Sequence, residues 1–527
     1  MKNSILKYIS LTVTAFAVAS CVSLDEIPVS GETENTFWTR DYAAFQALNS
    51  CYQYISSADE VGFNEAMSDN AYTSALDKTQ AIGNGSLSTD DGWVHSVWNT
   101  RYAGIRACNE LTDNIHKVPG LSDALRTRYI GEAKVLRALC YYELMVRFGD
   151  VPYFTKTISV PEAKKMSRTP KATVLSGILA ELDEVINGNM LPPSYSGDDV
   201  GRITSWAAKA MKARVLLSQN DFATLEAVTK DIIDNGPYDL YPSYSGLFEV
   251  AHENNEEVII DIQYSYPLRG HTLPMALTPP SMRGLGYLTP LQELVDDYIM
   301  LNGKGKDEAN SGYVAATPYL NRDPRLKATV IYNGNDYNGT PINTVSGEDK
   351  AYETSGGQTR TGYYTRKLYD SNYTPGTNSS GMNIIYLRYA DILLMYAEAM
   401  AAQDKMDAEV WNKTIKKIRT RAGFTDAGAL DFPGKNNILD IVRRERRAEL
   451  AMEGLRYTDI IRWNLGTTLL NGKCHGAPDG GSGVLYEPDG RRIVETRKFE
   501  AGKNELWPVP FYEFNMNRNL LPNNPGW

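Results

Sequence analysis

The chain is poor in the residues that usually do chemistry: 527 residues include only 5 histidines and 5 cysteines. His95, His116, His252, His271 and His475 are scattered, and each reads as a surface or hydrogen-bonded histidine rather than a base or ligand. No CxxC pair and no cysteine–histidine spacing suits zinc. The loop GxxxxGK[ST], the helix HExxH, the elbow GxSxG and a complete EF-hand loop are all missing, which excludes the commonest nucleotide, zinc and serine-hydrolase sites. Acidic loops such as Asp90-Asp91 could hold structural calcium, but no ligand pattern is complete, so no metal or cofactor is expected. Concentrated positive charge is lacking too. With a net charge of -10 and no Lys/Arg run, the chain has no surface suited to nucleic-acid phosphates.

Long apolar runs are also absent. The only candidate, Leu11 to Ala19, is too short to span a bilayer, and with Lys2 and Lys7 before it residues 1–20 read as an export signal peptide. Val18-Ala19-Ser20-Cys21 resembles a bacterial lipobox, in which Cys21 is lipidated and becomes the mature N-terminus. Each buried methylene contributes about 0.8 kcal/mol, so several acyl chains suffice for stable anchoring. Asp25 and Glu26 resemble the signal that places some lipoproteins on the outer face of the outer membrane. Cys51, Cys108, Cys140 and Cys474 are far apart and read as buried free thiols.

What is present is helical periodicity. From Trp38 to about Asn235 apolar residues recur at helical spacing. Ser122 to Asp150 places Val135, Ala138, Leu139, Tyr142 and Val146 on one stripe and stops at Gly149 and Pro152. Thr204 to Ser218, then a helix capped by Asp221, make one helix pair; Tyr386 to Gly423 makes another, close to the roughly 34 residues of a tetratricopeptide unit. Between about Pro267 and Ser380, Gly, Asn, Thr, Pro and Tyr dominate, and only short strands are expected, such as Glu257 to Ile262 and Ala328 to Tyr332. The fold class expected is mainly α: tetratricopeptide-like helix pairs in one scaffold, with an irregular loop-rich layer and a few short strands.

Two sets of side chains stand out. Glu445, Glu449 and Glu453 fall at i,i+4 spacing on an expected helix from Ile438 to Glu453, among Arg446, Arg447, Arg456 and Arg462. Two carboxyls at such spacing could serve a glycosidase. Stacked like charges with cations between them read more economically as a partly buried ion-pair network, which Asp459 and Arg462 extend. The second set is aromatic: Tyr outnumbers Phe by 33 to 13, and many tyrosines punctuate the irregular layer. Rings bordered by polar groups suit sugars. The ligand-contact candidates are therefore Asp69, Asn70, Tyr72, Trp93, Tyr287, Tyr313, Tyr337 and Tyr363. Trp98 shares a stripe with Tyr102 and Ile105 and is assigned to the core.

Gly131 to Leu139 with Phe148-Gly149-Asp150-Val151-Pro152, Tyr386 to Ile392, Ile418 to Gly423, Glu445 to Leu450 with Glu453-Gly454, Asp459 to Trp463 and Asn523 to Trp527 resemble, in order and spacing, the SusD/RagB-like outer-membrane lipoproteins. The resemblance implies an N-terminal helical region at 21–250 and a C-terminal region at 251–527, packed into one body. It also implies a non-enzymatic role: binding a glycan and passing it to a TonB-dependent β-barrel transporter, or, alternatively, binding peptides. The matched motifs are scaffold motifs and carry over no binding residue. A glycoside hydrolase is the reading from another class.

Overall fold

The computed structural model describes residues 34–337, 339–352, 359–370, 373–374, 379–479 and 483–527. Cys21, the expected lipidation site, and the expected export signal at 1–20 lie outside the described residues. The helices that frame the molecule are α1 (Ala43–Tyr52), α2 (Gly92–Asn114), α3 (Asp123–Phe148), α4 (Lys171–Asn187), α5 (Ser205–Ser218), α6 (Phe222–Asn235), α7 (Tyr389–Ala402), α8 (Ala408–Lys413), α9 (Ile415–Ala422), α10 (Ile438–Leu450) and α11 (Arg456–Arg462). From α1 to α7 each packs on the next, and α7 also meets α10, so consecutive antiparallel-type pairs build one wall. One apolar cluster runs through both halves, from Trp38 to Leu520.

Local chemistry sets these boundaries. The Ser122 hydroxyl accepts from the Leu125 amide and starts α3, and Gly149 at φ +71 ends it. Thr204 and Asp221 cap α5 and α6 in the same way. Close approach needs small residues: a Cβ on Gly104 of α2 would lie 2.7 Å from Tyr54 Cβ and 2.8 Å from Cys140 Sγ. α7 is buried on nearly every side, which makes it the centre of the body. Cys51, Cys108, Cys140 and Cys474 are buried free thiols, and Trp98 packs in the core against Tyr102 and Phe148.

Three expected boundaries shift. Tyr386 belongs to a strand, and the second helix of its pair is split in two at Thr414 (φ -120, ψ -87), whose hydroxyl donates back to the Val410 carbonyl at 2.7 Å. The helix expected to reach Glu453 stops at Leu450, because Ala451 turns extended and Met452 adopts φ +67. The strand expected over Ala328 to Tyr332 shrinks to two residues, the preceding ones forming a helix Pro324–Thr329 started by the Asp323 carboxylate.

The irregular layer carries the strands in two-stranded antiparallel ladders. β1 (Ala71–Thr73) pairs with β3 (Leu288–Pro290), β2 (Val258–Ile262) with β8 (Ile384–Arg388), β4 (Val330–Ile331) with β7 (Tyr364–Thr365), β5 (Asp336–Tyr337) with β6 (Thr340–Pro341), and β9 (Gly472–Pro478) with β10 (Arg491–Arg497). The register Tyr72↔Thr289 joins the N-terminal loop to the irregular layer, and that junction positions the candidate site.

Candidate ligand-binding surface

Under this layer lies an ion-pair network with almost no solvent contact. Glu449 accepts from Arg325 Nη1 at 2.9 Å, Arg388 Nη1 at 2.7 Å and Arg421 Nη2. Glu445 pairs with Arg325 and Arg419, both at 2.7 Å. Glu453 approaches the network from the turn after α10, meeting Arg388 and Lys367 at 2.6 Å. Arg446 bridges Asp391 and Asp459, and Arg462 pairs with Glu398 and Asp459. Burial pushes the Glu449 carboxyl up, but Arg421, Arg388 and Arg325 outweigh it and hold the group well below the carboxylate range. Burial lowers the Lys367 ammonium to about 8 despite Glu453. A carboxylate saturated by three guanidinium groups is a poor general acid or base.

Asp69 and Asn70 belong to this frame and not to an open ligand face. Asp69 is buried, gripped by Arg456 Nε and Nη2 at 2.8 and 3.0 Å, and paired with Arg447 at 3.0 Å. Burial raises its pKa, yet Arg447 and Arg456 bring it down to about 2. Asn70 donates to Glu65 at 2.7 Å and accepts from Arg447 at 2.8 Å. Their lone pairs are spent on fixing the segment that enters β1. Sequence spacing gave no sign of these partners, since Arg447 and Arg456 lie more than 370 residues away along the chain.

The aromatic candidates separate into three places. Tyr337 is buried with Ile331, Ile342, Tyr364 and Tyr369, so it is a core ring of the β5–β6 corner. Tyr363 is buried as well; its hydroxyl donates to Gln292 Oε1 at 2.5 Å and meets the Tyr319 hydroxyl at 3.2 Å. Tyr319 in turn stacks on Tyr332 with centroids 3.9 Å apart, while Tyr313 is half-buried with Lys306 and Arg322 each 5.7 Å from its ring. These rings turn inward because a loop layer with little regular hydrogen bonding needs apolar mass beneath it, and tyrosine supplies mass and a polar end together.

The third place, the β1–β3 edge, keeps aromatic and polar groups at the surface. Tyr287 is 36% exposed and is held by backbone bonds from its own amide to the Ala276 carbonyl (2.8 Å) and from the Ser74 amide to its carbonyl (3.0 Å). Gly286 makes this possible: it sits at φ +56, and a Cβ there would lie 2.6 Å from Tyr364 Cε1. Across the ladder, the Tyr72 ring is buried, but its hydroxyl accepts from Gln80 Nε2 at 3.4 Å and Arg360 Nη1 at 3.3 Å. Leu76, 80% exposed, follows β1. At the foot of the same loop Lys78 lies 5.4 Å from the Phe63 ring and 5.6 Å from Trp93, and pairs with Asp59 at 3.1 Å. Trp93 is half-buried, with an indole Nε1 that has no partner among the described residues. Of the sequence candidates, then, Tyr287 is exposed at this edge and Trp93 is half-buried beside it, while Tyr72, 3% exposed, lies beneath it in a small core with Leu291, Cys474 and Val494. Gln80, Arg360 and Leu76 join them without having been singled out; a leucine inside the polar run Ser74 to Lys78 was the available signal.

Comparison with known proteins agrees with this architecture. The family model described as the SusD family matches residues 247–527, and one described as "Starch-binding associating with outer membrane" matches residues 24–217. The chain belongs to the SusD family. SusD-like protein P2 of Formosa agariphila is 25% identical over 100% of both chains. A solved SusD-like carbohydrate-binding protein from Bacteroides fragilis is 27% identical and superposes with a TM-score of 0.83 over 92% of this chain and 100% of its own. Surface glycan-binding protein A of Bacteroides thetaiotaomicron, solved with laminarihexaose, shares the fold at 21% identity, with a TM-score of 0.70 over 92% of this chain and 100% of its own. The SusD assignment accounts for the helix pairs and for the loop layer together. Among the described residues no helix is long and apolar enough to cross a membrane.

Proposed function

We propose that this SusD-family chain captures an oligo- or polysaccharide at the β1–β3 edge without cleaving it. In this reading it is held on the outer face of the outer membrane by lipid on Cys21 and hands the glycan to a TonB-dependent β-barrel transporter. The observation that carries the proposal is the end-to-end match to a SusD-like carbohydrate-binding protein. The local chemistry supports it: Tyr287 offers a ring to the C–H face of a sugar, and the part-exposed Gln80 and Arg360, held on the buried Tyr72 hydroxyl, offer polar atoms to its hydroxyls. Glu449, the acid best placed by sequence for hydrolysis, is consumed by arginines.

Isothermal titration against a panel of purified glycans, with chromatography of the same mixtures, tests both halves of the reading. Binding of at least one glycan with no shorter product is expected. Tyr287→Ala should weaken that binding roughly tenfold or more, the loss typical of an aromatic anchor. Appearance of shortened sugars, or an unchanged affinity in Tyr287→Ala, would overturn the assignment of activity or of site respectively.

A further inference from the structure

Away from the β1–β3 edge, α2, the loop 152–166 and the short helix Phe511–Met516 enclose an apolar hollow of about 300 Å³. That is the lower end of the volumes small binding sites occupy, about 300–1,000 Å³. Its floor is Trp98, Tyr102 and Phe154, and the last two rings stack at 13° with centroids 6.1 Å apart. The walls are fixed before anything binds. The Tyr102 hydroxyl donates to the Pro152 carbonyl at 2.9 Å, Asn109 Nδ2 to the Lys156 carbonyl at 3.0 Å, and Asn517 Nδ2 to the Met166 carbonyl at 2.7 Å.

The rim is apolar and basic. Val160 (67% exposed) and Met516 (64% exposed) stand at the mouth, beside exposed Phe511 and Tyr512. Single exposed apolar residues are ordinary, but two at the mouth of one hollow, with Phe511 and Tyr512 exposed on the same short helix as Met516, form an interaction patch. The acids nearby serve the frame of the hollow: Glu162 closes a capping box with Ser159, Asp113 accepts from the Thr157 amide at 2.7 Å, and Glu513, on the wall, meets His95 at 3.2 Å. Lys156, Lys164, Lys165 and Arg518, by contrast, form no ion pair with any carboxylate among the described residues. Unpaired cations gathered in a chain of net charge -10 mark where negative charge is to be received.

We propose that this hollow is a docking site for an acidic segment of a partner protein, which inserts one bulky apolar side chain between Met516 and Val160 while its carboxylates face the lysines. The site is separate from glycan capture, and its test does not depend on that reading. A random peptide library displayed on phage is selected against the purified full chain, and enriched peptides are synthesised and titrated. Enrichment of sequences with an aromatic or long aliphatic residue flanked by Asp or Glu is expected. Their affinity should fall at least tenfold in Met516→Glu and in Lys164→Glu/Lys165→Glu, and also on replacing the anchor by Ala. Both variants alter exposed side chains, and an unchanged thermal midpoint verifies that they fold. Enriched peptides without acidic flanks, or affinities indifferent to both variants, would overturn the proposal. So would an apolar dye, anilinonaphthalene sulfonate, binding in a Met516-dependent manner when no peptide is enriched, since the hollow would then serve small molecules.

Discussion

Replacing Glu449 by Gln separates a structural carboxylate from a catalytic one. The side chain keeps its volume but loses its charge, and Arg325, Arg388 and Arg421 are left facing one another around a neutral amide. Two unit charges 4 Å apart interact by about 4 kcal/mol at an effective dielectric constant of 20, so the gain and the repulsion exposed by its loss are both of that order. Breaking a buried pair by removing one partner costs about 3–5 kcal/mol in measured cases. The unfolding entropy is about 2.1 cal/mol/K per residue, or roughly 1 kcal/mol/K for about 500 residues, so the thermal midpoint should fall by about 3–5 °C. Scanning calorimetry reads that shift. At 25 °C the variant should still bind glycan with unchanged affinity, because the β1–β3 edge touches the network only through its frame. A midpoint within 1 °C of the parent would refute the electrostatic argument. Loss of a glycan-cleaving activity at an unchanged midpoint would refute the structural assignment altogether.

Asp261 of β2 has a distinct pH signature. It is buried beside Glu253 with one bond from Asn383 Nδ2 at 2.8 Å, and burial raises its pKa to about 7. A carboxyl raised in the folded state stabilises below its unfolded pKa, near 4, and that contribution is lost as pH rises through 7. At 1.36 kcal/mol per unit the loss amounts to at most about 4 kcal/mol. Asp261→Asn, which keeps the acceptor for Asn383, should therefore match the parent at pH 4 and melt about 2–4 °C higher at pH 8; parallel midpoints across that range would contradict the assignment. Gly104→Ala places a methyl against Tyr54 and Cys140, and overpacking of this kind costs about 1–3 kcal/mol. A lower denaturant midpoint is expected, and an unchanged one would mean that α2 and α3 can separate freely.

The scaffold was legible because its signals are local. Ser122 and Gly149 bound α3, Thr204 and Asp221 bound the next pair, and each needs only neighbours within four residues to act. The ion-pair network was half legible for the same reason: i,i+4 spacing put Glu445 and Glu449 on one face of α10, but the turn at Ala451 and Met452 sends Glu453 to Arg388 from another direction. The proposed ligand face was the least legible. Asp69 looks like a loop acid until Arg456 and Arg447 arrive from the far end of the chain, and Tyr337 and Tyr363 look like loop rings until β4, β7 and Gln292 close over them. Tyr287 stays outside only because Gly286 lets the backbone pass tightly over Tyr364.

That contrast bears on how the SusD scaffold can change its ligand. Arg447 and Arg456 bind Asp69 and Asn70, and Arg497 donates to the Ala71 carbonyl at 2.9 Å, so three cations from the C-terminal half clamp the backbone leading into β1. Beyond the clamp, Leu76 stands in the turn after β1, Gln80 opens the short helix Gln80–Asn84, and Tyr287 immediately precedes β3, where backbone bonds to Ala276 and Ser74 hold it. Groups on a backbone already held in place lose little conformational freedom on binding, so at the proposed glycan site substitutions at these positions should change which groups meet the sugar without a further ordering cost. The frame and the ligand face are thus separable: charge deletions at Asp69 or Arg456 should be felt as lost stability first, and side-chain exchanges at Leu76 or Tyr287 as altered glycan preference at constant stability.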